Sequence, residues 1–181
     1  DKDFSDFRQT ASRLVSKEKL LAAIPQIKIQ NFIFKNRDGI RFDDYTNNWG
    51  LDFATYSNGA VYGDLDNDGD LDIVLNNLNS PSTILENLSE NKNSHISITL
   101  KGDKNYPITR GSKIKIFSEE NQWVRENIVT RGFQSSSSHK AFFGLGEIGQ
   151  IDSIVVRWPD GLFQTEKNIA VNQELIINKR N

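Results

Sequence analysis

The chain has 181 residues, 36% of them hydrophobic and 25% charged, with a net charge of −2 and no cysteine. That composition belongs to a globular protein and offers no broad basic field for nucleic acid. No apolar run reaches the ~18 residues of a membrane span, and disulfides, thiolate catalysis and cysteine-ligated zinc are excluded.

The chain opens "DKDF", with neither methionine nor a signal peptide, as expected of a processed protein or an excised fragment, and any export signal would lie upstream, out of sight. Residues 5–23, "SDFRQTASRLVSKEKLLAA", and Ile24 set Phe7, Ala11, Leu14, Val15, Leu21 and Ile24 at helical spacing, and Pro25 stops the pattern. One or two short helices are predicted in an N-terminal segment, 1–30, covering an edge of the β structure that follows.

From 31 to 90 the text turns to short β runs. "NFIFKN" and "RFDDYT" alternate around the turn "NRDG", "GAVYGDL" and "LDIVLNN" flank an acidic loop, and "STILENL" closes the segment after the turn "NNLNSPS". These runs predict one antiparallel sheet. The polar "SENKNS" at 89–94 marks a domain boundary, and a second β series fills 91–181. There, Ile96, Ile98 and Leu100 share a face, as do Ile114 and Ile116, and Ile154, Val156 and Trp158. Period-2 spacing predicts a compact sandwich or barrel of about 85 residues. The predicted fold class is therefore mainly β: one blade-like antiparallel sheet and a C-terminal sandwich- or barrel-like domain, after a short helical segment.

"GDLDNDGDLD", residues 63–72, is the sharpest chemical signal. Asp64, Asp66, Asp68, Asp70 and Asp72 occupy alternate positions, with Gly69 among them. Carboxylates this close repel unless a cation sits between them. Calcium takes six to eight oxygens, and Asp64, Asp66, Asp68 and Asp72 stand at positions 1, 3, 5 and 9 of a wrapping loop. Gly69 permits the turn. Asp70 is expected to offer its backbone carbonyl, with its side chain toward solvent. A helical EF-hand fails, because position 12 is Leu75, not Glu, and the flanks read as strands. Magnesium, which keeps its waters, fits less well than calcium.

With Tyr56 in place of a leading Phe, the stretch ending "SNGAVYGDLDNDGDLDIVLNN" resembles the FG-GAP/VCBS repeat, the blade of integrin-α-like propellers. "NFIFKNRDGIRFDDYTNNWGL" resembles the earlier part of that blade. "HISITLKGDKNYPITRGSKIKI", "RGFQSSSSHKAFFGLGE", "IDSIVVRWPDGLFQ" and "VNQELII" resemble the ASPIC/UnbV domain of secreted proteins related to cartilage acidic protein. A propeller needs four to eight blades, and one calcium loop is present. The resemblance therefore implies the last blade and C-terminal domain of a longer chain, with upstream propeller blades as partners. It also implies an extracellular or cell-surface location, the periplasm being the other compartment it allows.

Catalytic groups are sparse. His95 and His139 are the only histidines, and Ser135 to Ser138 adjoin His139 on a strand whose neighbouring side chains point apart. No nucleophile elbow is present. "GLGEIG" lacks the context of a phosphate loop, and "WPDG" reads as a turn beside a packed Trp158. The leading expectation is a calcium-stabilised, non-catalytic binding or structural module with a glycan or extracellular protein ligand. The alternative is a calcium-dependent polysaccharide hydrolase or its accessory domain, drawing a carboxylate pair from Asp43, Asp44, Glu119, Glu120, Asp160 and Glu166. No spacing singles out such a pair.

Overall fold

The structure is a computed structural model that describes residues 16, 18, 27–89, 93–130, 132 and 135–180. The chain divides into two compact units, Asp1–Tyr56 and Ser57–Asn181. Apart from Ser16 and Glu18, the residues of the helices predicted over 5–24 lie outside the described residues, and the described end of that segment, Ile29–Gln30, is strand β1.

In the first unit, β1 pairs antiparallel with β4 (Ala54–Thr55), and β2 (Phe34–Asn36) with β3 (Phe42–Asp44). The "NRDG" turn forms as its side chains require. Asn36 Oδ1 accepts from the Gly39 N–H, Asp38 Oδ1 from those of Ile40 and Arg41, and Gly39 takes a φ of 88°. The two pairs do not merge into one sheet. Asn31 Nδ2 donates to Thr55 Oγ1, and the Ile33 N–H donates to the buried Thr46 Oγ1. Side-chain bonds thus occupy the break between β1 and β2, where a continuous strand would need ladder bonds.

The second unit begins with a three-stranded antiparallel sheet of β5 (Ser57–Gly63), β6 (Asp72–Asn77) and β7 (Thr83–Leu85). The single sheet expected over 31–90 is therefore three small sheets, spread over both units. The turn into β7 hangs on Asn77. Its Nδ2 donates to Pro81 O and Thr83 Oγ1, and its Oδ1 accepts from Ser57 Oγ.

Two further sheets follow. One orders β10 (Asn121–Glu126), β9 (Lys113–Ser118), β12 (Gln150–Arg157) and β13 (Phe163–Ala170), all antiparallel. The other orders β11 (Ala141–Gly146), β8 (Ser94–Lys101) and β14 (Gln173–Asn178), where β14 runs parallel to β8. Among the described residues the molecule is mainly β, and its sheets do not close into a barrel. One core draws on both sheets: Ile96, Ile98 and Leu100 of β8, Ile114 and Ile116 of β9, Phe143 and Leu145 of β11, Ile154 and Val156 of β12.

Trp158 ends β12 inside that core, 2% exposed. Pro159 and Asp160 form the turn behind it. The Gly161 N–H returns to Trp158 O, the Trp158 N–H donates to Leu162 O, and Gly161 adopts a φ of 91°. This hairpin is latched from the C-terminus. Lys179 Nζ, on a side chain only 4% exposed, lies 2.6 Å from Asp160 Oδ2 and 2.9 Å from Asp103 Oδ2.

Candidate metal centre

The acidic loop, 64–71, joins β5 to β6 just beyond the Gly63–Asp72 register pair. Asp66 Oδ1 accepts from the Asp68 N–H, and Asp68 Oδ1 from the Asp70 N–H. Asn67 and Gly69 both take positive φ, 64° and 94°. Each carboxylate thus turns the chain back on itself, and the residue between steps through the left-handed region. Asp64, Asp66 and Asp68 are brought together by this winding, each offering an oxygen within 4.8 Å of the others.

The donor set fits a hard cation. It consists of carboxylate oxygens, which suit calcium and magnesium. Asp64 Oδ1 and Asp70 Oδ1 are buried with no hydrogen-bond partner among the described residues, a costly state for a carboxylate unless a positive charge faces it. Burial, and then the charges of Asp68, Asp72 and Asp66, push the Asp70 carboxyl above its ordinary range. The Asp70 side chain is therefore not turned out to solvent as expected. Its other oxygen lies 3.5 Å from Ser89 Oγ.

Asp72 stands apart from the three. It is 3% exposed; its Oδ2 accepts from the Leu65 N–H and its Oδ1 from the Asn87 N–H, both at 3.0 Å. It ties the start of the loop to β6 and to the chain leaving β7. Gly69 has a second constraint that the loop sequence alone does not disclose. A Cβ at that position would run into the imidazole of His95, on β8. Nothing local signals this contact, since the two residues are 26 positions apart. The His95 backbone is itself fixed at both ends by Asn172. Its N–H donates to Asn172 Oδ1, and its carbonyl accepts the Asn172 N–H. A groove of about 730 Å³ opens beside the loop, bounded by Asp68, Gly69, Asp70, His95, Phe143 and Asn172 among others.

Arg125 connects the β5–β6–β7 sheet to the sheets that follow. Its guanidinium donates to the Tyr62 hydroxyl of β5 and, at 2.5 Å, to Phe142 O of β11. Four of the six carboxylates weighed for hydrolysis are engaged elsewhere. Asp43 pairs with Arg37, Asp160 with Lys179 and Glu166 with Arg180, while Asp44 accepts from the Thr46 N–H. Glu119 and Glu120 are exposed at the β9–β10 turn, and His139 is exposed, with the neighbouring Ser138 Oγ accepting from the Lys140 N–H.

No curated protein matches the chain. Residues 102–181, which carry β9 to β14 and the Lys179 latch, match the family described as ASPIC and UnbV.

Proposed function

We propose that this chain is a calcium-stabilised, non-catalytic binding or structural module of a secreted or cell-surface protein. In this reading the ASPIC/UnbV-matching domain follows an FG-GAP/VCBS-like blade. Asp64, Asp66 and Asp68 supply carboxylate oxygens, the Asp70 carboxylate adds charge to the shell, and Asp72 holds the loop in shape. The observation that carries it is the buried, unpartnered pair Asp64 Oδ1 and Asp70 Oδ1 beside three converging carboxylates. The FG-GAP/VCBS part rests on the residues of the acidic loop and its flanks. In this reading the module sits among further blades and meets calcium outside the cell. Extracellular calcium modules bind at about 10⁻⁴ to 10⁻³ M, so such a site fills only where calcium is plentiful.

Thermal unfolding in calcium and in chelator tests the reading. An ion bound only by the folded form adds about 2.7 kcal/mol at a hundredfold excess over its dissociation constant. Calcium should raise the melting temperature, and Asp68→Ala should remove most of that gain. Identical melts with and without calcium would end the proposal.

A further inference from the structure

The outward face of the β10–β9–β12–β13 sheet gathers cations and apolar side chains. Lys113 and Lys115 sit two apart on β9, and Arg157 of β12 is the register partner of Lys113. Lys167 of β13 lies opposite Ser153 on the same side. Several cations elsewhere meet carboxylates: Arg37 with Asp43, Lys140 with Glu174, Lys179 with Asp103 and Asp160, Arg180 with Glu166. On this face, Lys115, Arg157 and Lys167 have no ion pair among the described residues, and Lys113 has only Glu126 at 4.0 Å. Between the cations lie apolar groups, with Phe163 68% and Val124 55% exposed. Lys113, Lys115, Arg157, Phe117 and Phe163 line one shallow depression of about 640 Å³.

We propose that this face is a docking surface for an anionic polysaccharide. The inference rests on the binding-module reading of the chain and not on its metal. A merely solvated face would interleave charges of both signs, whereas four cations here face one carboxylate. Uncompensated positive charge on a chain of net charge −2 selects a negatively charged partner locally. The depression lies on a sheet face and is not enclosed, so it can accept an extended polymer. Flat apolar side chains beside cations offer a ring face and a charge contact in alternation, the pattern of a sugar chain bearing carboxylate or sulfate groups. Lys113 and Lys115 are about 7 Å apart along β9, and Arg157 is about 5 Å across from Lys113. That spacing suits a polymer with separated charges better than duplex DNA, which carries a charge every ~1.7 Å.

The test titrates the full chain, held in saturating calcium, with carboxymethyl-dextran, dextran sulfate, uncharged dextran and oligodeoxythymidylate at low salt. The charged dextrans should bind, weaken as salt rises, and leave the neutral polymer unbound. The triple change Lys113→Gln, Lys115→Gln, Arg157→Gln should weaken binding about tenfold or more. Phe163→Ala should weaken it at high salt as well, because its contact is not screened. All four positions are on the sheet surface, and an unchanged melting temperature certifies the variants as folded. Equal affinity of the triple variant, or no binding of either charged dextran, overturns the proposal. Tighter binding of the oligonucleotide than of both charged dextrans makes the occupant a nucleic acid and overturns it too. The metal reading is judged by melts in chelator, so the two can fail separately.

Discussion

Gly69→Ala separates the two demands placed on the acidic loop. The residue sits at a φ of 94°, where an L side chain costs about 1–2 kcal/mol. Its new Cβ would also overlap the His95 ring. The ring is the free end of a side chain on a strand whose backbone is fixed by Asn172, so it must swing aside. Overpacking of this kind costs about 1–3 kcal/mol. The single change should therefore destabilise the protein by about 2–5 kcal/mol in total. His95→Ala removes the obstacle but not the backbone cost. Urea unfolding of the wild type, both single variants and the double variant, all in saturating calcium, measures the coupling. The double variant should be more stable than the sum of the singles predicts, by about 1–3 kcal/mol. Costs that add within about 0.5 kcal/mol would refute a close contact between the loop and β8. Calcium affinity gives an independent check: Gly69→Ala should weaken it, and the double variant should recover part of the loss.

Trp158→Ala opens a cavity in the core and should cost about 3–5 kcal/mol in a denaturant melt. Trp158→Phe also removes the buried, unpartnered Nε1, so it should cost less; equal losses would mean that volume is not what matters there. Asp70 is held above its ordinary carboxyl range by burial and its acidic neighbours, so keeping it charged works against folding. In chelator, stability should fall as pH rises from the usual carboxylate range through that raised value. Asp70→Asn should raise the melting temperature in chelator while shrinking the gain from calcium. The Lys179 latch has the opposite sign: the Lys179 hydrogen bond is the main cause holding each of Asp103 and Asp160 below the usual range. Its contribution is present above the ordinary carboxylate values and is lost as pH falls through the depressed ones. Lys179 is raised, chiefly by its bond to Asp160, so the alkaline loss comes only above its ordinary range. Lys179→Met should lower the melting temperature at neutral pH and lie closer to wild type near about pH 3.

What the sequence disclosed is what local rules govern. Alternation of Ile, Val and Leu identified the inward faces of β8, β9 and β12, and put Trp158 in the core beside Ile154 and Val156. Turn chemistry located the Asp38–Gly39 turn and the tight turn at Pro159, because Asx bonds and left-handed glycines act over three or four residues. The strand–loop–strand context of the aspartates was legible for the same reason. The pairing of strands was not. β14 joins β8 in parallel, a contact between segments some 77 positions apart for which alternation carries no signature. The face of β8 turned from the core is only partly exposed, with Ser97 buried and His95 and Thr99 half-buried, although its text reads as a half-exposed strand.

The same limit explains the loop. Spacing made Asp72 a ninth-position ligand, but spacing cannot reveal which N–H groups the fold delivers to a carboxylate. Here Leu65 and Asn87 arrive from opposite sides, and Asp72 becomes the bracket on which the other aspartates are wound. Gly69 likewise serves the turn and the packing of His95 at once, and Arg125 spans from Tyr62 to Phe142 O. These links tie the acidic loop and its sheet to the strands that follow. An ion that draws Asp64, Asp66 and Asp68 together should therefore tighten more than its own loop: it fixes Gly69 against His95 of β8, the central strand of a core-bearing sheet. Calcium protection should then extend to backbone amides of β8 in hydrogen exchange, and protection confined to 63–72 would show that the loop binds without that coupling.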